Sequence, residues 1–451
     1  MFAARRIEDL KAQRDVYGLV VALWHKRQSV RRRAAEALGE LGDRRAVAPL
    51  IGAIGDPKAP VRLAAARALG RLRDARAAEP LIELLGDPSK QVRLAVVRAL
   101  GELRAPAATQ RLAAVMHDED EDGDVRWAAA EALGEIGDPR AFEPLFAALG
   151  SSSIGPAAKR ALSEVLSAES IPALVDALKH GQPEVRLFAK GALVGWWGNS
   201  AVEPLTVALH SEDPEVRSVA AVGLSHTKEP TAAAALIDAL GDRDAKVRSA
   251  AARGLSVLLP AVARLNGGVT VGERAGVDAL IEALGDKSAG VRYWAARALG
   301  RSRAAAGAVA ALAQALGDRN AGVRAAAAEA LGELRARDAI GALIAALRDR
   351  DSGVRRASAE ALGKIADWEA THALVAALGD RDPQVRAAAA LALGELGDPE
   401  AVRPLIAALA SEDGRVADAA ESALKQLVDS PLCGALVEEL RERPSRSRFI
   451  R

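Results

Sequence analysis

The sequence predicts an all-α fold, an α-solenoid of about thirteen tandem two-helix repeats, mostly 31 residues each. Three observations predict it. The dipeptide Val-Arg recurs with a dominant spacing of 31, at Val30, Val61, Val92, Val125, Val185, Val216, Val247, Val291, Val323, Val354 and Val385. Each unit carries two apolar patterns at helical spacing. Ala and Leu dominate while aromatics make up only 3% of the 451 residues, which suits closely packed helices. Internal repetition overrides the several-domain expectation that length alone would set.

One of the two patterns, here the B helix, follows Val-Arg. After Val30 the small or apolar residues Ala34, Ala37, Leu38 and Leu41 share one face. Three residues before Val stands a capping residue: Ser89, Asp122, Asp213, Asp244, Ser288, Asn320, Asp351, Asp382 or Asp413. Pro214 and Pro383 follow the cap, where the missing N–H costs nothing. Gly42, Gly137 and Gly397 fit left-handed C-terminal caps. Asp43, Asp138 and Asp398 then begin the other pattern, the A helix. Pro49, Pro80, Pro144, Pro204 and Pro404 recur within it, and each must either start or kink that helix. Neither helix is long enough to stand alone, so stacking is forced.

The recurring Arg opposes the helix dipole and needs an acidic partner. Aspartate recurs five residues before Val at Asp56, Asp87, Asp120, Asp242, Asp286, Asp318, Asp349 and Asp380. We expect a structural Asp–Arg ladder between successive repeats, drawn from Asp56, Arg62, Asp87, Arg93, Asp242, Arg248, Asp318, Arg324, Asp349, Arg355, Asp380 and Arg386.

The unit D-x-x-x-x-V-R-x-x-A-A-x-A-L-G resembles the bacterial HEAT-like repeats of the phycobilisome lyase type, over residues 16–440. The resemblance implies that the B helices line a concave wall, and that the positions one, two, five and nine after the Arg face a ligand. It also raises three enzyme readings. Bilin lyases share the repeat. Deoxyhypusine hydroxylases need His-Glu pairs, and none of His25, His117, His180, His210, His226 and His372 precedes a Glu. HEAT-like DNA glycosylases need a strongly basic wall, against a net charge here of +1.

Exceptions to a regular repeat are where function is expected. Aromatics replace small residues behind the Arg at Trp127, Phe188, Tyr293 and Trp294, and Trp196 and Trp197 end the sixth copy. They are either anchors for a partner or fillers where stacking is irregular. The fifth copy, SSSIGPAAKRAL, lacks Val-Arg and has Ile154 in the Val slot. Between Val247 and Val291 the spacing is 44, and the extra residues are expected to form a loop on one edge. Gly267 and Gly272 there are not a phosphate loop, because Glu273 and Arg274 stand where Lys and Ser/Thr are required. The acidic run at 117–126 starts like a calcium loop at Asp118, Asp120 and Asp122. Its twelfth position is Ala129 and not Glu, so a solvated helix start is expected.

Charge is polarised. Residues 1–45 hold 11 Lys/Arg against 6 Asp/Glu, and Arg441, Arg443, Arg446, Arg448 and Arg451 crowd the end. Arg32 and Arg33 are candidate contacts for an acidic partner. The one cysteine, Cys433, excludes an intrachain disulfide.

The expected organisation is a capping region at 1–24, repeats over 25–428 with a degenerate copy at 151–180 and an insertion at 256–276, and a cap with a basic tail at 429–451. The expected function is a cytoplasmic, monomeric, non-enzymatic scaffold that grips a protein or peptide in its concave groove, with no cofactor, metal or membrane contact. The alternatives are a bilin lyase-like attachment factor, or nucleic acid bound through the basic ends.

Overall fold

The computed structural model describes residues 2–195, 201–227, 229–265, 271–302 and 305–428. Trp196, Trp197, Gly267, Cys433 and the C-terminal arginines therefore lie outside the described residues. The chain forms two compact units, 1–191 and 192–451. In each, the described residues are helices and the turns that join them, and the fold is an α-solenoid of stacked helix pairs.

The first unit opens with Phe2–Ala12 and Val16–Ala22. Its B helices are Gln28–Leu41, Ala59–Leu72, Lys90–Leu103, Gly123–Ile136 and Gly155–Val165. Helix Pro183–Gly195 belongs to the sixth copy. The second unit continues with Pro214–Leu224, Ala245–Leu265, Ala289–Arg301, Ala321–Glu333, Ser352–Ile365, Pro383–Leu396 and Gly414–Val428. Consecutive B helices pack on each other within each unit, and A helices such as Val47–Ala53 and Thr371–Ala377 pack mainly on the B helix that follows.

Local rules place the boundaries. Asp122, Asp213, Asn320, Asp351 and Asp382 accept backbone N–H bonds as caps, while Ser89 and Ser288 hold the position without a side-chain bond. Gly42, Gly137 and Gly397 take φ near +70°, as left-handed caps require. Arg73, Arg104, Arg335 and Ala366 adopt the same region without being glycine, a strained choice that stacking must offset. Several A segments start with a short 3-10 turn, capped by Asp43, Asp138 or Asp398 at three of them, and only then become α-helical, whereas Pro230–Ala239 starts without one. Pro49, Pro144, Pro204 and Pro404 are third in short helices such as Val47–Ala53. They therefore start these helices and do not kink them, because first-turn N–H groups have no helical acceptor.

The Gly of A-L-G has a packing reason. A Cβ added at Gly39 would lie 2.7 Å from the Cα of Ala68 on the next B helix, and at Gly332 it would lie 2.7 Å from the Cα of Ala361. B helices thus meet backbone to backbone at one point per repeat. At the sixth and seventh copies the small residue changes sides. Val194 and Ser225 stand in the glycine slot, and Gly223 and Gly254 stand in the facing alanine slot. A Cβ at Gly223 would lie 2.6 Å from the Leu193 carbonyl oxygen.

The ladder runs between repeats. The guanidinium of Arg62 grips Asp87 with two N–H donors, at 2.6 and 2.9 Å, and its third nitrogen donates to the Asp56 carbonyl oxygen at 2.8 Å. Arg31–Asp56, Arg217–Asp242, Arg292–Asp318, Arg324–Asp349 and Arg355–Asp380 repeat this fork, as does Arg248–Asp286 across the insertion. The carboxylate also accepts a backbone N–H two residues on, as Asp349 does from Asp351. The Arg thereby caps main-chain carbonyls behind the preceding A helix, which offsets its unfavourable place at the start of a B helix.

Two expectations are corrected. Asp120 is not a rung: Arg93 forks onto Glu121 at 2.7 Å, while Asp120 is exposed, because the acidic loop there is one residue out of step. The 256–276 insertion is not an edge loop in its described part. It extends one helix to Ala245–Leu265, with Pro260 inside, and leads to helix Val271–Ala283. Leu258 and Leu259 continue the buried stripe, so burial carries the helix onward. The ladder pauses at Arg126, which donates to the Met116 carbonyl, since the fifth copy offers no aspartate. It ends at Arg386, which donates to the carbonyls of Asp380 and Arg381, with Ser411 in the next Asp slot.

Candidate binding face

On the second, third and fourth B helices, the position after the Arg holds Leu63, Leu94 and Trp127, all half-buried, and one turn on in the second and third stand the exposed Arg67 and Arg98. Trp127 lies under Arg160, whose guanidinium is 5.6 Å from the ring centre and also pairs with Glu131 at 2.7 Å. Beside them is a cleft of about 650 Å³ that includes Glu135 and Glu164. Burial raises the Glu135 carboxyl above its ordinary value, and the nearby Glu102 and Glu131 charges add to this.

Phe188 is half-buried and sits 6.3 Å from Phe146, which stacks on Phe142 at 5.1 Å. This cluster fills the space around the irregular fifth copy.

In the second unit, Tyr293 and Trp294 are half-buried and meet edge to face at 5.2 Å. Arg253 covers Trp294 at 5.5 Å and Arg297 covers Tyr293 at 5.9 Å. Trp294 walls a groove of about 360 Å³ between B helices Pro214–Leu224, Ala245–Leu265 and Ala289–Arg301. The structure thus brings Tyr293 and Trp294 together, while Trp127 and Phe188 occupy separate surroundings. Arg32 is paired with Glu36 at 2.6 Å, so a partner's carboxylate would compete with one already present. Arg33 is half-buried.

Sequence reasoning centred on B helices missed the most exposed aromatics. Tyr17 is 80% exposed, Trp24 68% and Val21 56%, along the short helix Val16–Ala22 and its end. Their spacing of four and three residues was a readable signal. Trp24 covers Gly52, whose Cβ position lies 3.2 Å from the indole. Trp368 is half exposed and donates its N–H to the Leu396 carbonyl at 3.0 Å. Among the described residues no cluster of His, Cys, Asp and Glu could hold a metal ion, and no helix is long and apolar enough to cross a membrane.

This geometry is that of a helical-repeat protein with an open, side-chain-variable B face. The family model of HEAT repeats matches residues 18–90, 78–167, 171–256, 261–332, 277–362, 309–380 and 340–425, and the chain belongs to the HEAT repeat family. No curated protein matches it. Among solved structures, a chain from a study of Kap95p binding to RanGDP is 15% identical with a TM-score of 0.48. That alignment covers 94% of this chain and 62% of the other, so this chain spans less than two thirds of it. The Escherichia coli protein YibA is 22% identical with a TM-score of 0.44, over 57% of this chain and 92% of that one. An engineered protein is 24% identical with a TM-score of 0.32, over 92% and 99%.

Proposed function

We propose that the chain is a non-enzymatic scaffold that binds a protein or peptide on the exposed face of its B helices. The observation that carries this reading is the Trp294 groove, a shaped opening walled by an aromatic and by the exposed Lys246 and Arg253. Tyr293 and Trp294 are the principal anchors, each half-buried, so that little rotamer freedom remains to be lost on binding. Trp127 is a further anchor in the first unit. Phe188 already meets Phe146 at 6.3 Å, which leaves less of its ring for a partner. A passive surface of this kind draws affinity from a few aromatic anchors and specificity from the charges around them. The lyase-type alternative rests on the repeat motif and has no observation of its own in support.

The test is capture of partners from a host lysate by the full chain, beside the Tyr293→Ala, Trp294→Ala double variant and the Trp127→Ala variant, each with its helical circular dichroism checked. The expected result is a partner lost when Tyr293 and Trp294 are removed from a protein that stays folded. A partner retained by all variants would make these rings packing residues and overturn the assignment.

A further inference from the structure

We propose that the Trp294 groove takes a short acidic peptide segment, with its carboxylates on Lys246 and Arg253 and an apolar or aromatic side chain on the indole. This rests on the reading of the B face as a binding surface and adds the chemistry of the partner.

The groove is lined by Ser218, Lys246, Ser249, Arg253, Ser288 and Trp294, with small apolar side chains between them and no carboxylate. Both cations are exposed, and neither makes an ion pair among the described residues. Two other arginines on B helices of the second unit are instead paired with a carboxylate. One repeat further, Arg297 is held by Glu329 at 2.8 Å, and in the eleventh copy Arg356 is held by Glu360 at 2.8 Å. Arg253 has an indole where those arginines have a carboxylate. A guanidinium that lies over a ring and has no carboxylate on it keeps its N–H donors for a planar, two-oxygen acceptor, which a carboxylate supplies. Lys246 adds a mobile point charge from the first turn of the same helix. Three serine hydroxyls can donate to or accept from a peptide main chain.

The segment is short for a reason of charge. In the B-helix position where Arg253 stands in this repeat, the tenth and eleventh copies carry Glu329 and Glu360. A polyanion continuing along the face would have to compete with those carboxylates for Arg297 and Arg356. An acidic stretch of a few residues ends before it reaches them. This favours a peptide over a nucleic acid strand, whose phosphates recur without interruption.

The experiment uses the full chain and two labelled short peptides of a few residues, one of alternating Glu and Tyr and one of alternating Lys and Tyr, read by fluorescence anisotropy. Carbodiimide coupling, which joins carboxylates to amines with no spacer, then maps the contact by mass spectrometry. The expected results are binding of the Glu–Tyr probe alone, weakening with salt, a coupled Lys246, and a loss of about tenfold or more in the Lys246→Glu, Arg253→Glu variant at unchanged helicity. Binding of the Lys–Tyr probe that Trp294→Ala abolishes would keep the groove as a peptide site and overturn its acidic preference. No binding of the Glu–Tyr probe near about 1 mM, coupling that bypasses Lys246, or an unaffected charge-reversal variant would overturn the inference. A single-stranded oligonucleotide that binds with the same dependence on Lys246 and Arg253 would replace the peptide with nucleic acid.

Discussion

Gly332→Ala tests whether the stack is held by backbone contact. Gly332 lies buried in helix Ala321–Glu333, so helix propensity alone predicts a gain of about 0.8–1 kcal/mol from Ala. Packing predicts the opposite. The new Cβ would sit 2.7 Å from the Cα and 2.9 Å from the Cβ of Ala361. The atom it meets first is main chain, which cannot swing aside, so helices Ala321–Glu333 and Ser352–Ile365 must separate by most of an ångström. Overpacking of this kind costs about 1–3 kcal/mol, and an unyielding neighbour puts it in the upper half of that range. The net expectation is a loss of about 1–2 kcal/mol. Because repeats are coupled only to neighbours, the loss is local. Amide hydrogen exchange in these two helices should speed up by a factor of about 5–30, with distant copies unchanged. Gly191→Ala is the control. Gly191 is helical and exposed, and its added Cβ meets nothing within 4 Å. It should therefore gain up to about 1 kcal/mol. Equal stabilisation by both substitutions would refute the close-approach argument.

The remaining predictions concern charge. Asp349→Ala should cost about 3–5 kcal/mol in urea unfolding, because it strands the buried Arg324. Glu36→Ala, which removes the partner of the half-exposed Arg32, should cost under about 1 kcal/mol, and similar costs for the two would remove the ladder from the account of stability. The guanidiniums of Arg248, Arg292 and Arg355 hold Asp286, Asp318 and Asp380 below the ordinary carboxylate value. A depressed folded pKa gives stability that is present above the unfolded value of about 4 and is lost as pH falls through the folded one. Thermal melts should therefore drop steeply below about pH 4, and less steeply in Asp380→Asn. Glu135 has the opposite sign, since burial and then Glu102 and Glu131 raise it. Glu135→Gln should stabilise the first unit at neutral pH, and this gain should vanish as pH falls below the unfolded value of about 4; a gain independent of pH would refute the burial argument.

Much of the fold was legible because it is periodic. Val30 to Val385 set the repeat, and their own spacing separates the B helices. The caps at Asp122, Asp351 and Gly42 follow from local backbone needs that one residue satisfies. The Asp–Arg ladder was legible for a different reason. A cation at each helix start demanded a partner, and aspartate recurred at a fixed offset. The site was less legible. Tyr293 and Trp294 stood out as breaks in a poor-aromatic pattern, but their groove arises only when Ser218 and Arg253, from two earlier repeats, come alongside. Tyr17, Val21 and Trp24 were overlooked because they precede the first Val-Arg.

Sequence by itself determined most of the helices, their order and the partners of all the rungs but that of Arg93, since these depend on residues a constant distance apart along the chain. Tertiary structure alone decided three things. It put Glu121 and not Asp120 on Arg93, because reach across a loop depends on the loop's path. It made the 256–265 segment helix, because Leu258 and Leu259 found a surface to cover. It also moved the close-approach glycine from one helix to the next at Gly223, because a backbone contact requires only that one of two facing residues be small.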